Sequence, residues 1–148
     1  MKKLITLLVF ALAANVTFAQ DLIAKTYVEH THMTPKVGTA IGFQTDYGWE
    51  YGGFYQKATP TINNGETTNQ PKMYEEEFFG IFGNAVIAET NKLDILLNAR
   101  IGVTNRENFA ITPAVLANFK TEGKVKFGGG IGVRALRPTY QATITFDL

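Results

Sequence analysis

The sequence predicts an all-β fold, an antiparallel up-and-down β-barrel of about eight strands that crosses a membrane and follows an N-terminal signal peptide. Three observations predict it. The chain opens on a short basic and apolar leader. The rest alternates apolar and polar residues over segment after segment, the period of a two-faced strand. Short turns take every second connection, and one long polar connection falls between them.

In the leader, Met1-Lys2-Lys3 precedes an apolar run from Leu4 to Ala14, too short to cross a bilayer as a helix and built like a secretory signal. Thr17-Phe18-Ala19 places small residues three and one positions before a cut. The expected boundaries are therefore 1–19 for the signal peptide and 20–148 for a single outer-membrane barrel domain. Removing Lys2 and Lys3 reduces 14 basic residues to 12 against 13 acidic ones, so the formal charge moves from +1 to −1. No nucleic-acid partner is implied. The chain contains no Cys and no Ser. Disulfides, thiolate metal sites and Ser or Cys nucleophiles are excluded, no catalytic residue is assigned, and no cofactor is implied. Nothing after the leader has the apolar run of about 18 residues that a membrane helix needs. A closed barrel is the remaining way to satisfy every backbone group in lipid.

Residues 22–32 and 75–89 have strand composition, with Lys25 and Glu29 assigned to the inner face. Between them, Thr39, Ile41 and Phe43 oppose Gly38, Ala40, Gly42 and Gln44, and Trp49, Tyr51, Gly53 and Tyr55 oppose Glu50, Gly52, Phe54 and Gln56. The pattern is strict from residue 93 onward. Leu93 to Val103, Phe109 to Phe119, Val125 to Ala135 and Tyr140 to Leu148 each place an apolar residue at every second position. These four faces give 23 apolar positions and no charge. Pro113 lies mid-strand, where it removes a ladder donor, and a local bulge is the expected accommodation.

Counted from a periplasmic N-terminus, the second, fourth and sixth connections must be periplasmic and short. They are Asp46-Tyr47-Gly48, a link around Asn91, and Glu122-Gly123. The long connection, about 58–72, comes third and is extracellular. Its Asn64-Gly65 is a tight-turn signal that predicts a hairpin beyond the membrane. Strand direction then sorts the outward aromatics into two girdles, with Phe43, Trp49, Phe119, Phe127 and Phe146 at the periplasmic rim and Tyr55, Phe109 and Tyr140 at the outer rim.

The last strand carries a resemblance. Tyr140, Ala142, Ile144, Phe146 and Leu148 form an alternating apolar terminus similar to the assembly signal of small eight-stranded outer-membrane barrels of the OmpA-like and OmpX-like type, although that family usually ends in Phe. The resemblance implies residence in the bacterial outer membrane, with membrane lipid and the barrel-assembly machinery as partners. It also implies a structural or surface-interaction role through extracellular loops, with a possible partner at the 58–72 loop. Some members modify lipid A, pairing a His with a Ser, and this chain has no Ser. Thr31 or Thr34 beside His30 or His32 is the alternative nucleophile.

Two further alternatives invert or open the barrel. A soluble periplasmic lipocalin-like barrel would turn the apolar face inward around a ligand. The small residues on the polar face, Gly38, Gly42, Gly52, Gly128, Gly130 and Gly132 among them, fit a crowded lumen better than a wet surface. A narrow ion pathway would use the predicted lumen charges, Lys25, Glu29, Glu50, Asp94, Arg100, Lys126, Arg134 and Asp147. These are four basic and four acidic residues that sum to zero, and a salt-bridged plug is the simpler expectation. His30 and His32, two residues apart, are a possible metal pair with Glu29 or a loop carboxylate as third ligand. Glu75, Glu76 and Glu77 are expected as a solvated cluster near the outer rim.

Overall fold

The structure, a computed structural model, describes residues 19–31, 34–59, 62–63, 66–67 and 77–148. Among these residues ten strands follow one another: β1 (Ala19–Thr31), β2 (Thr34–Thr45), β3 (Glu50–Ala58), β4 (Ile62–Asn63), β5 (Glu66–Thr67), β6 (Glu77–Glu89), β7 (Leu93–Thr104), β8 (Asn108–Lys120), β9 (Val125–Arg134) and β10 (Arg137–Asp147). Eight of them close into one antiparallel barrel in the order β1-β10-β9-β8-β7-β6-β3-β2. Every wall contact but one joins sequence neighbours, with β4 and β5 set aside. The exception is the closing pair, β1 with β10, in register from Ile23↔Asp147 to Thr31↔Thr139. Residues 1–18, the bulk of the predicted signal peptide, lie outside the described residues, and β1 begins at Ala19 beside the predicted cut.

An even strand number returns both chain ends to one side, here called the terminal end. The connections 46–49, 90–92 and 121–124 turn there, at the three places read from the sequence. Each is closed locally. The Gly48 N–H donates to the Thr45 carbonyl at 2.9 Å with Gly48 in the left-handed region. The Leu93 N–H donates to the Thr90 hydroxyl at 3.0 Å, and the Thr121 hydroxyl to the Val125 carbonyl at 2.5 Å. At the opposite, loop end the long connection carries the small β4-β5 sheet, with Ile62↔Thr67 and Asn63↔Glu66 flanking Asn64-Gly65.

The alternation resolves into two faces. Among the outward residues of β7 to β10, Leu97, Ile101, Ile111, Val115, Ile131 and Val133 are exposed as an apolar belt. Inward, Leu96, Asn98, Arg100, Thr112, Ala114, Leu116 and Asn118 are buried. In β6 the phase slips because Val86 pairs with Leu96 while Ala88 pairs with Ile95. That bulge makes Ile87 the extra residue and keeps it outside, which is why residues 75–89 alternate poorly in sequence.

Two expectations are corrected. Ala135 does not extend the outer face of β9. With Leu136 it forms the two-residue turn into β10, and both have positive φ, 49° and 62°. Nor does Pro113 sit in a bulge. The pairing of β7 with β8 runs unbroken through Ala99↔Pro113 to Thr104↔Asn108. The pairing of β8 with β9 instead stops at Ala114↔Gly132. The Pro113 carbonyl points at β9, 2.6 Å from where a Cβ on Gly132 would lie. A strand residue's N–H and C=O share a side, so the missing donor also faces β9, and the two strands part there.

A turn with positive φ at both central residues favours Asn-Gly, whereas each β-carbon-bearing residue costs about 1–2 kcal/mol in the left-handed region. Replacing Ala135-Leu136 with Asn-Gly is expected to stabilise the barrel by about 1–2 kcal/mol in total, seen as a higher urea midpoint of the refolded protein. An unchanged midpoint would show that the turn carries no such strain.

Candidate functional site: a charged, filled lumen

The interior of an eight-stranded barrel is only wide enough for side chains, so the inward set decides whether anything passes. Here the eight charges predicted for the lumen all lie on the inward face, and they associate in separate groups along the axis. In the loop-end half, the Glu29 carboxylate is fully buried and takes both Arg100 and Arg134. The remaining bonds to it come from the Gln56 amide at 2.9 Å and the Thr31 hydroxyl at 2.9 Å. Arg100 also donates to the Gln56 carbonyl oxygen at 3.1 Å, and Arg134 to the Thr31 hydroxyl at 3.3 Å. The guanidinium planes use the aromatic rings around them. Arg134 lies 4.4 Å from the Phe78 ring centre and Arg100 5.2 Å from that of Tyr27.

Nearer the middle, Lys25 pairs with Glu50, which also accepts from Asn84, and Asn98 donates to Asn84 in turn. At the terminal end Lys126 bridges to Asp147 at 3.0 Å and donates to Gln44 at 3.3 Å. Asp94 pairs with Lys120 at 2.8 Å, and Lys120 reaches out to the exposed Glu89. Among the described residues, a pocket of about 30 Å³ lies between the groups, lined by Lys25, Tyr27, Phe54, Asn98 and Arg100 among others. That is room for a few water molecules at most, far below a ligand-sized cavity.

The sequence reading missed two parts of this interior. Lys36 is buried on the inner face of β2. It lies two residues before Gly38, and starting the strand earlier than residue 38 would have placed it there. The other part is apolar: Ile23, Tyr27, Phe78 and Phe82 pack inside among the charges beside Phe54, which the alternation already places on the inner face, with Phe54 and Phe78 edge to face at 4.7 Å. Small neighbours make room for the rings. A Cβ on Gly38 would lie 2.3 Å from the ring of Tyr27, its partner across β1 and β2.

His30 and Glu29 cannot share a metal, because adjacent strand residues face opposite ways: Glu29 is in the lumen and His30 is exposed outside. His32 lies outside the described residues, as do Glu75 and Glu76. Thr34 begins β2. Glu77 is not a freely solvated charge. It binds the Arg106 side chain at 3.4 Å and accepts from the Tyr55 hydroxyl at 3.2 Å. Among the described residues no three His, Asp or Glu side chains gather as a metal site.

The predicted girdle residues face outward in two rows. Phe119 pairs with Phe127, and Phe43 with Tyr51, at the terminal end. At the loop end Tyr55 pairs with Phe79, whose next neighbour Val103 pairs with Phe109. Trp49, Tyr140 and Phe146 are exposed on the same surface. Tyr140, Ala142, Ile144, Phe146 and Leu148 form the outer face of β10 and its end, and the Leu148 N–H donates to the Leu22 carbonyl at 2.8 Å.

Removing one partner of a buried ion group strands the others, at a cost of about 3–5 kcal/mol. Glu29→Gln leaves two buried guanidiniums against a neutral amide and is expected to lower stability by that order in urea titrations. Lys126→Gln at the half-open rim is expected to cost under about 1 kcal/mol. Equal effects would mean that the Glu29 group is no more buried in energetic terms than the rim pair.

No protein-family profile and no curated protein matches the sequence. Solved structures do match in shape. A structure described as "De novo design of transmembrane beta-barrels" superposes with a TM-score of 0.68 at 11% identity, covering 88% of this chain and 97% of the design. The solution NMR structure of the de novo designed TMB2.3 gives 0.59 at 15% identity, covering 86% and 94%. At these identities the likeness is one of fold: the chain is an eight-stranded antiparallel closed barrel structurally similar to designed transmembrane β-barrels.

Proposed function

We propose that the chain is a non-porin outer-membrane barrel of the OmpA-like or OmpX-like kind, exported by a signal peptide at residues 1–19. In this reading it acts as a structural or surface-interaction protein whose loop end, with the 58–72 connection and its β4-β5 hairpin, faces the outside of the cell. The observation that carries the reading is the division of the wall: an apolar belt on the outside and an interlocked charged interior among the described residues. A belt of exposed Ile, Leu, Val and Phe is stable in lipid and a liability in water. A lipocalin-like ligand barrel needs the reverse arrangement, with the apolar face around a cavity.

The filled lumen argues against conduction, because an ion would have to break a buried group held on several sides. Protein refolded into planar bilayers is expected to leave them electrically silent, while migrating on gels at different positions before and after boiling. Discrete conductance steps would replace the plug with a channel. Migration unaffected by boiling, with recovery in the soluble fraction, would remove the membrane reading itself.

A further inference from the structure

The parting of β8 and β9 leaves a groove of about 470 Å³ on the outside of the barrel. Its walls are Leu97, Val115, Ile131, Val133, Pro138 and Tyr140, all outward residues of the belt, and its floor reaches Ala114 and Gly132, whose side-chain positions face the lumen. The size falls within the roughly 300–1,000 Å³ of small-molecule sites. The groove has a cause written into the sequence. Pro113 turns a missing donor toward β9, the ladder ends at Ala114↔Gly132, and the strands diverge beyond it. The floor contributes no side chain to the groove, because Ala114 and Gly132 direct theirs to the lumen, where a Cβ on Gly132 would meet the Ala114 Cβ at 2.7 Å and the Thr139 hydroxyl at 2.8 Å.

We propose that this groove is a docking site for one acyl chain of a membrane lipid. The proposal rests on the membrane reading above. The occupant follows from the surroundings. The groove is continuous with the apolar belt, so hydrocarbon is what meets it, and its only side-chain polar atom is the Tyr140 hydroxyl. A chain lying in the recess is enclosed by protein on its sides and floor. One passing over Ile41 or Ile81, elsewhere on the belt, meets an intact ladder. The docked chain covers the wall where its own ladder is missing.

The test uses the full barrel refolded into phosphatidylcholine vesicles that contain a few per cent of phosphatidylglycerol bearing a photoreactive diazirine midway along one acyl chain. After illumination, labelled peptides are mapped by mass spectrometry. Labelling of segments 113–115 and 131–140 is expected to exceed that of β2 and β6 severalfold. Val133→Trp, which fills the recess, and Pro113→Thr, which returns the donor facing β9, are each expected to reduce that excess. Even labelling around the belt, in protein that keeps its heat-modifiable migration, overturns the groove and leaves the membrane reading standing. Absence of belt labelling together with unmodified migration overturns both.

Discussion

In lipid, each backbone N–H and C=O must find its partner inside the protein. The ladder from β1 through β3 and β6 to β10, closed by β10 back onto β1, provides those partners around the wall except where β8 and β9 part. Much of the molecule follows from that closure. Sequential antiparallel strands with an even count return both ends of the chain to one rim, so the short turns and the long connection fall at opposite ends of the axis. The curvature needed to close is eased by small inward residues, and by bulges such as the one that releases Ile87 from β6. Pro113 is the place where the requirement fails locally, and the apolar groove lies where it fails.

Closure also determines what the interior can hold. Eight strands enclose too little space for a water-filled channel, and the inward faces contribute charged groups that must be paired there. Glu29 serves two guanidiniums at once, with Gln56 and Thr31 completing the bonds to its carboxylate. Such a group is costly to assemble, because desolvation offsets much of the attraction, and costlier to leave incomplete. Its consequence is steric and electrostatic occlusion rather than a large net gain in stability. The aromatic rings inside, Phe78 against Arg134 and Tyr27 against Arg100, fill the volume that the charges leave and lower the cost of holding cations away from water.

Much of the fold was legible in the sequence. Alternation is a property of successive residues, since each Cβ points opposite to the last, and it survives as pattern without any tertiary knowledge. From residue 93 onward it located four strands and their outward faces, with Ala135 the error. A β-carbon there is unfavourable at positive φ, so the alternation gave no sign of a turn. In residues 75–89 a single extra residue hid the phase. Lys36 was lost with a strand boundary, because strand ends leave no sharp mark on composition. His30 and Glu29, adjacent in sequence, were wrongly joined in one metal site although the same period of two sends them to opposite faces.

By itself, the sequence determined the strands from 93 onward, the short turns, the outward aromatics and the inward charges, all of which depend on neighbours within a few residues. Only the tertiary structure decided which charges meet, since Glu29 and Arg100 are 71 residues apart and come together through barrel stagger and side-chain reach. It also decided the effect of Pro113. The sequence shows a missing donor, but whether that donor faces β7 or β9, and so whether the wall stays zipped or opens into a groove, depends on the pairing of strands that are remote along the chain.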